Sequence, residues 1–285
     1  MADEVLLFEM APRDGLQNEA TPIPTDRKIA LVDKLSACGF QKIETASFVS
    51  PKWVPQMADG AEVLAGIDRR AGTLYTALTP NMKGLERAIA AKADEVAIFA
   101  SASESFSQKN INCSIAESLE RFAPIVEAVR KAGLPVRGYV SCVTDCPYEG
   151  AIAPDAVAQV AADLEALGVY EVSLGDTIGQ GTPESVAAML QAVLERLPAD
   201  KLAGHYHDTG GRALANIRIS LENGLRTFDA SAGGLGGCPY APGAKGNVAT
   251  EEVVTMLEAE GFATGIDQAA LAEASRFART LRATC

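Results

Sequence analysis

A single (β/α)8 barrel, the TIM fold, with a C-terminal helical extension is the fold class this sequence predicts. Three observations predict it. Eight short apolar runs alternate with longer amphipathic stretches. A length of 285 residues suits one such barrel. No linker, low-complexity tract or long charge run divides the chain, so residues 1–285 read as one catalytic domain whose tail begins near 267.

The elements follow in order. Residues 5–10 form the first apolar run. The helical stretch 25–37 opens on Thr25-Asp26 and stops before Cys38-Gly39. Strands are expected at 42–46 and 72–78, a helix at 81–91, and a fourth strand at 95–99. The pattern at 114–132 carries Ile115, Leu119, Phe122, Ile125, Val126 and Val129 at helical spacing. After a fifth strand at 136–142, the helix at 154–167 starts with proline in its first turn. The sixth strand is expected at 170–174, and Thr182-Pro183-Glu184 opens the helix at 182–197. Strands at 201–207 and 227–231 complete the set, with helical patterns at 212–222 and 248–260. Residues 277–285 read as an extra helix end or a frayed tail. The rival doubly wound sheet should carry a glycine-rich turn after its first strand. Ala11-Pro12-Arg13-Asp14-Gly15 is not G-x-G-x-x-G.

A barrel gathers its chemistry at the C-terminal ends of its strands. Strand 1 ends in Arg13-Asp14, and strand 2 carries Glu44 and Ser47. Strand 5 ends in Ser141-Cys142, strand 6 in Asp176-Thr177, and strand 7 in His205-Tyr206-His207-Asp208. Strand 8 runs into Gly233-Gly234-Leu235-Gly236-Gly237-Cys238-Pro239-Tyr240. The opposite ends are plain turns such as Cys38-Gly39-Phe40 and Ala132-Gly133-Leu134.

The chain has two histidines, and both lie in this one segment. Side chains at i and i+2 of a strand share a face, roughly 6.5–7 Å apart. Such a pair can converge on one metal ion. With Asp14 the set offers two imidazoles and a carboxylate, which suits Mg²⁺ or Mn²⁺ and accepts Co²⁺ or Zn²⁺. Open positions on the ion could take a substrate hydroxyl and an adjacent oxygen. A hydroxyl so held ionises more easily, and the alkoxide can expel a carbanion in a retro-aldol or retro-Claisen cleavage.

Other residues are placed around that centre. Arg13 could stabilise a developing enolate oxygen. Glu44 and Asp176 occupy strand positions hostile to charge, so they are assigned to orienting Arg13 or an imidazole. Asp208 is expected to cap or orient. Asn247 either caps the last helix or offers its amide oxygen as a fourth ligand. Gly233 to Gly237 can approach a ligand closely or act as a mobile lid, and Cys238 behind it is a candidate acid/base or nucleophile. Cys38 and Cys113 read as packing or turn residues.

Composition excludes some partners. The net charge of −12 argues against nucleic acid and anionic membranes. No apolar run approaches the ~20 residues of a membrane helix. The six cysteines make no Cys-x-x-Cys pair and read as reduced thiols, which suits a cytoplasmic location. The N-terminus carries neither a basic leader nor an Arg-rich transit segment.

Several runs resemble the 3-hydroxy-3-methylglutaryl-CoA lyase family. They are Ala-Pro-Arg-Asp-Gly-Leu-Gln-Asn-Glu (11–19), Ile-Glu-Thr-Ala-Ser-Phe-Val-Ser-Pro-Lys-Trp-Val-Pro-Gln-Met (43–57) and Lys-Asn-Ile-Asn-Cys-Ser (109–114). Arg-Gly-Tyr-Val-Ser-Cys (137–142), Cys-Pro-Tyr-Glu-Gly (146–150) and Ser-Leu-Gly-Asp-Thr-Ile-Gly (173–179) are similar too. Gly-Leu-Gly-Gly-Cys-Pro-Tyr-Ala (234–241) looks like that family's signature loop. The resemblance implies a metal-dependent barrel lyase that yields acetyl-CoA and acetoacetate, the chemistry of leucine degradation and ketone bodies. It implies Asp14, His205, His207 and Asn247 as metal ligands. It further implies Arg13 on the thioester carbonyl, Cys238 as acid/base on a closing loop, and support from Glu44 and Asp176. The expected partner is an acyl-CoA and the expected assembly a homodimer.

Two departures stand out. Asp-Thr-Gly-Gly follows the histidines where an aromatic is expected before the second glycine, and Tyr206 fills the middle of His-x-His. The rivals are a lyase for a longer branched 3-hydroxy-acyl-CoA, a related aldolase or condensing synthase, and a metal- or CoA-binding protein without turnover. Such synthases usually carry further C-terminal domains, and here nothing remains after about residue 283. Arg13, Asp14 and Cys238 speak against a protein without turnover.

Overall fold

The computed structural model describes residues 3–236 and 246–282. Cys238 and Cys285 lie outside the described residues. Eight parallel strands close into a barrel in chain order. They are β1 Leu6–Glu9, β2 Lys42–Ser47, β3 Leu74–Leu78, β4 Glu95–Ser101, β5 Val136–Ser141, β6 Val172–Asp176, β7 Leu202–Tyr206 and β8 Thr227–Ala230. β1 pairs with both β2 and β8, which closes the ring. The expected (β/α)8 barrel is therefore the fold.

Both faces of these strands are covered, so they read as apolar runs rather than alternations. Phe8, Met10, Leu78, Ala97 and Tyr139 pack together inside the barrel. Leu7, Ile43, Val96, Ile98, Val140 and Leu174 belong to the larger cluster shared with the helices. The periodic helices form where the cap signals stand. Pro154–Leu167 starts on its proline and ends at Gly168, whose φ of 109° is left-handed. Ile115–Lys131 opens with a reciprocal capping box between Ser114 and Glu117. Beyond the barrel, Gln268–Arg279 is capped by Asp267 and packs against Thr25–Ser36. This extension begins earlier than a helix end at 277–285 would.

Several boundaries and elements differ from the sequence reading. β6 runs Val172–Asp176 rather than 170–174. A π-helical turn, Ala11–Gly15, follows β1. Short helices Gly60–Gly66 and Glu104–Ile111 and a hairpin of Asp145–Cys146 with Gly150–Ala151 follow β2, β4 and β5. The last periodic helix is Thr250–Ala259, with Ala249 at its N-cap. Asn247 is thus not its cap, because the chain still runs extended there. His207 bridges Asn247, and Ser231 bridges Ala249, so this segment lies along the exits of β7 and β8.

Candidate active site

The two histidines sit where the barrel rule expects chemistry. His205 is on β7 and His207 just beyond it, with ring centroids 5.3 Å apart. The π-helical turn after β1 brings Asp14 to them. Its Oδ2 lies 3.9 Å from His205 Nε2 and 3.8 Å from His207 Nε2. Asn247 Nδ2 donates to the same oxygen at 2.7 Å. Among the described residues, Asp14, His205 and His207 are the one such trio, with ligand atoms all within 4.8 Å of one another.

These residues fit a divalent cation. Bonds of about 2.1–2.2 Å place neighbouring donors about 3–4 Å apart, which matches the separations seen. One carboxylate and two imidazoles are the donor set expected for Mg²⁺, Mn²⁺ or a heavier first-row ion. The Asn247 amide presents nitrogen to Asp14 Oδ2 and to Leu235 O at 3.2 Å. Ligation by Asn247 would need the amide turned over to present Oδ1. Gly236 makes room beside it. A Cβ there would come within 2.5 Å of Asn247 Nδ2, and its φ of 100° also favours glycine.

Arg13 is buried in the same turn and held from two sides. Its Nε donates to Glu44 Oε2 and its Nη1 to Asp14 Oδ1 at 2.7 Å. Burial alone would lower the guanidinium's pKa. The carboxylates of Glu44 and Asp14 outweigh that and keep it charged. Burial would raise Asp14, but Arg13 and the two imidazoles hold its carboxyl well below the usual range. Glu44 therefore anchors the Arg13 guanidinium. Its other oxygen accepts from Tyr139 Oη at 3.1 Å.

Asp176 is buried at the end of β6. It accepts from Thr144 Oγ1 at 3.1 Å, Gln180 N at 3.2 Å and Gly181 N at 2.9 Å. Burial raises its pKa against those bonds and against the field of His207. It shapes the turn after β6 and lies within electrostatic reach of the histidine. Asp208 caps: its Oδ1 accepts from Ala213 N at 3.2 Å, at the start of helix Ala213–Glu222. Cys38, Cys113, Cys142 and Cys146 are buried free thiols. Cys238 falls outside the described residues.

Two groups escaped the sequence reading. Asp229 on β8 pairs in register with His205, and its Oδ2 lies 3.0 Å from His205 Nδ1. The same oxygen accepts from Ser173 Oγ at 2.8 Å and Arg137 Nη1 at 3.0 Å. Arg137 also meets Glu171 at 2.7 Å. Burial would raise Asp229, but Arg137 and His205 draw it down to about 2. The other is Glu9, which closes β1. Its Oε1 accepts from Ala11 N and Ala232 N, both at 2.9 Å, and its Oε2 from Thr250 Oγ1 at 2.8 Å. Burial pushes its carboxyl up to about 7. The available signal was a charged residue inside an otherwise apolar strand.

The chain matches the family model described as HMGL-like over residues 4–278. It is 56% identical over 273 residues to the 3-hydroxy-3-isohexenylglutaryl-CoA/hydroxy-methylglutaryl-CoA lyase of Pseudomonas aeruginosa, covering 96% of this chain and 91% of that one. It is 57% identical over 274 residues to the mitochondrial hydroxymethylglutaryl-CoA lyase of Bos taurus, covering 96% and 84%. The crystal structure of the HMG-CoA lyase from Brucella melitensis superposes with a TM-score of 0.98. It is 63% identical, with 99% of each chain covered.

Proposed function

The chain belongs to the HMGL-like family, and on that premise we infer that it is a metal-dependent carbon–carbon lyase that cleaves 3-hydroxy-3-methylglutaryl-CoA to acetyl-CoA and acetoacetate. The observation that carries the reading is Arg13, Asp14, His205 and His207 meeting at one rim of a barrel so similar to these lyases. The reaction breaks the C2–C3 bond. The 3-hydroxyl loses its proton, its oxygen becomes the ketone of acetoacetate, and the bonding pair passes to C2 as the thioester enolate. A proton then returns to C2.

Asp14, His205 and His207 would hold the cation, with Asn247 as a fourth ligand once its amide turns. When bound, the ion supplies Lewis acidity that eases loss of the hydroxyl proton. Arg13 is assigned to the thioester oxygen. Its fixed charge, set by Glu44, favours the enolate over the carbonyl. Cys238 is assigned as the acid that protonates C2. Asp176 supports the rim through the turn it ties.

Mg²⁺ or Mn²⁺ is the ion we propose. Residues 1–285 are taken as one catalytic domain, in the cytoplasm and as a homodimer. No described helix is long and apolar enough to cross a membrane. A second reading has one specific support. The Pseudomonas aeruginosa relative carries a name that includes the longer isohexenyl substrate. A panel of 3-hydroxy-acyl-CoAs of increasing branch length, assayed with Mg²⁺ for product, separates the two. Cleavage confined to long branches would overturn the methylglutaryl reading.

A further inference from the structure

We propose that Asp229 is a positioning residue that fixes the ring tautomer of His205, so that Nε2 is left as the lone-pair nitrogen facing Asp14 and His207. Asp229 and His205 are paired neighbours on β8 and β7. The carboxylate takes the Nδ1 side of the ring at 3.0 Å, while Nε2 lies 3.9 Å from Asp14 Oδ2. A carboxylate is acceptor-only when ionised, so the ring proton belongs on Nδ1. The other nitrogen is then free to donate a lone pair to a cation.

Asp229 is held for this by buried partners. Arg137 Nη1 donates to Oδ2 at 3.0 Å, and its Nη2 makes an ion-pair contact with Oδ1 at 2.8 Å. Ser173 Oγ donates to the same Oδ2 at 2.8 Å. Arg137 is in turn anchored by Glu171 at 2.7 Å and lies over the Phe8 ring at 4.4 Å. All of these residues are buried. Arg137 is the fully buried arginine of the barrel interior, and a buried cation needs its partners. The ion pair therefore compensates the charge and also orients the acceptor that His205 meets.

The inference rests on the metal reading for its purpose, while its ring-nitrogen test does not. With two histidines in the chain, ring-nitrogen NMR of the metal-free protein resolves both rings, and a His207→Asn variant assigns them. A proton on His205 Nδ1 is expected. A neutral ring protonated only at Nε2 would overturn the proposal. The wild-type spectrum decides this even if variants fold poorly. In folded Asp229→Asn, the Kd for Mn²⁺, read from free ion in the metal-free protein, should rise roughly 10- to 100-fold. An unchanged Kd would also overturn it. Failure of the wild type to bind Mn²⁺ would instead sink the metal reading and leave the tautomer result standing.

Discussion

Asn247 donates its amide to Asp14 Oδ2 at 2.7 Å across a sequence separation of 233 residues. The contact joins the turn after the first strand to the segment beyond the last, and both meet at the histidine pair. Removing it should loosen the carboxylate and take away a proposed ligand. Asn247→Ala is expected to raise the Mn²⁺ Kd on the order of 10-fold or more. A titration giving the wild-type Kd would remove Asn247 from the metal centre.

Arg13 is charged, buried and aimed by Glu44. Such a donor acts most where charge develops. Arg13→Met should lower kcat by about 10²–10³ and change KM far less. Glu44→Gln should lower kcat by less, since the guanidinium stays but loses its anchor. A raised KM at wild-type kcat in Arg13→Met would assign the residue to ground-state binding.

Cys238→Ser should keep metal and substrate affinity and lose most turnover, because a hydroxyl is a far weaker acid than a thiol. The buried thiols provide the contrast. Burial pushes Cys38 and Cys142 up to about 12, so both are poor nucleophiles at neutral pH. Alkylation should inactivate the wild type, and bound substrate should slow it. Equal inactivation of Cys238→Ser would transfer the role to another residue.

Glu9 predicts a pH dependence of stability. Its folded pKa, about 7, lies above the ordinary 4.5 because burial penalises the anion. The unfolded chain therefore holds fewer protons between those values, and stability falls as pH rises. The contribution is fully present below pH 4.5 and is lost as pH rises through about 7. At about 1.4 kcal/mol per unit it is on the order of 3 kcal/mol. Glutamine can replace the neutral acid, with its oxygen toward Ala11 and Ala232 and its amide toward Thr250. Urea unfolding at pH 5 and pH 8 should show a smaller decline in Glu9→Gln than in the wild type. Parallel declines would refute this origin.

The strands were legible because barrel strands are covered on both faces and stand out as apolar runs. The rim was legible because Arg13-Asp14 and His205-x-His207 end two of them. Helix Glu104–Ile111 was not, since its polar sequence carries few apolar residues to mark a face. Gly60–Gly66 begins and ends on glycine, which hides a short helix. The Asp229–Arg137 grip was missed for another reason. Each residue looks like one stray charge in its own strand, and only the curl of the barrel wall brings Arg137 on β5 round to Asp229 on β8. Asn247 was ambiguous between cap and ligand until the start of helix Thr250–Ala259 removed the cap.

The central claim is that the centre formed by Asp14, His205 and His207 drives carbon–carbon cleavage. Its most direct test is acetoacetate and acetyl-CoA release from 3-hydroxy-3-methylglutaryl-CoA by metal-free protein, before and after Mg²⁺ or Mn²⁺ is restored. Wild type, His205→Ala and His207→Ala are run side by side. The account predicts equimolar products from the wild type only after metal is added, and loss of both turnover and metal occupancy in each folded variant. Full activity with stoichiometric metal in either variant, or no cleavage by the metal-loaded wild type, would contradict it.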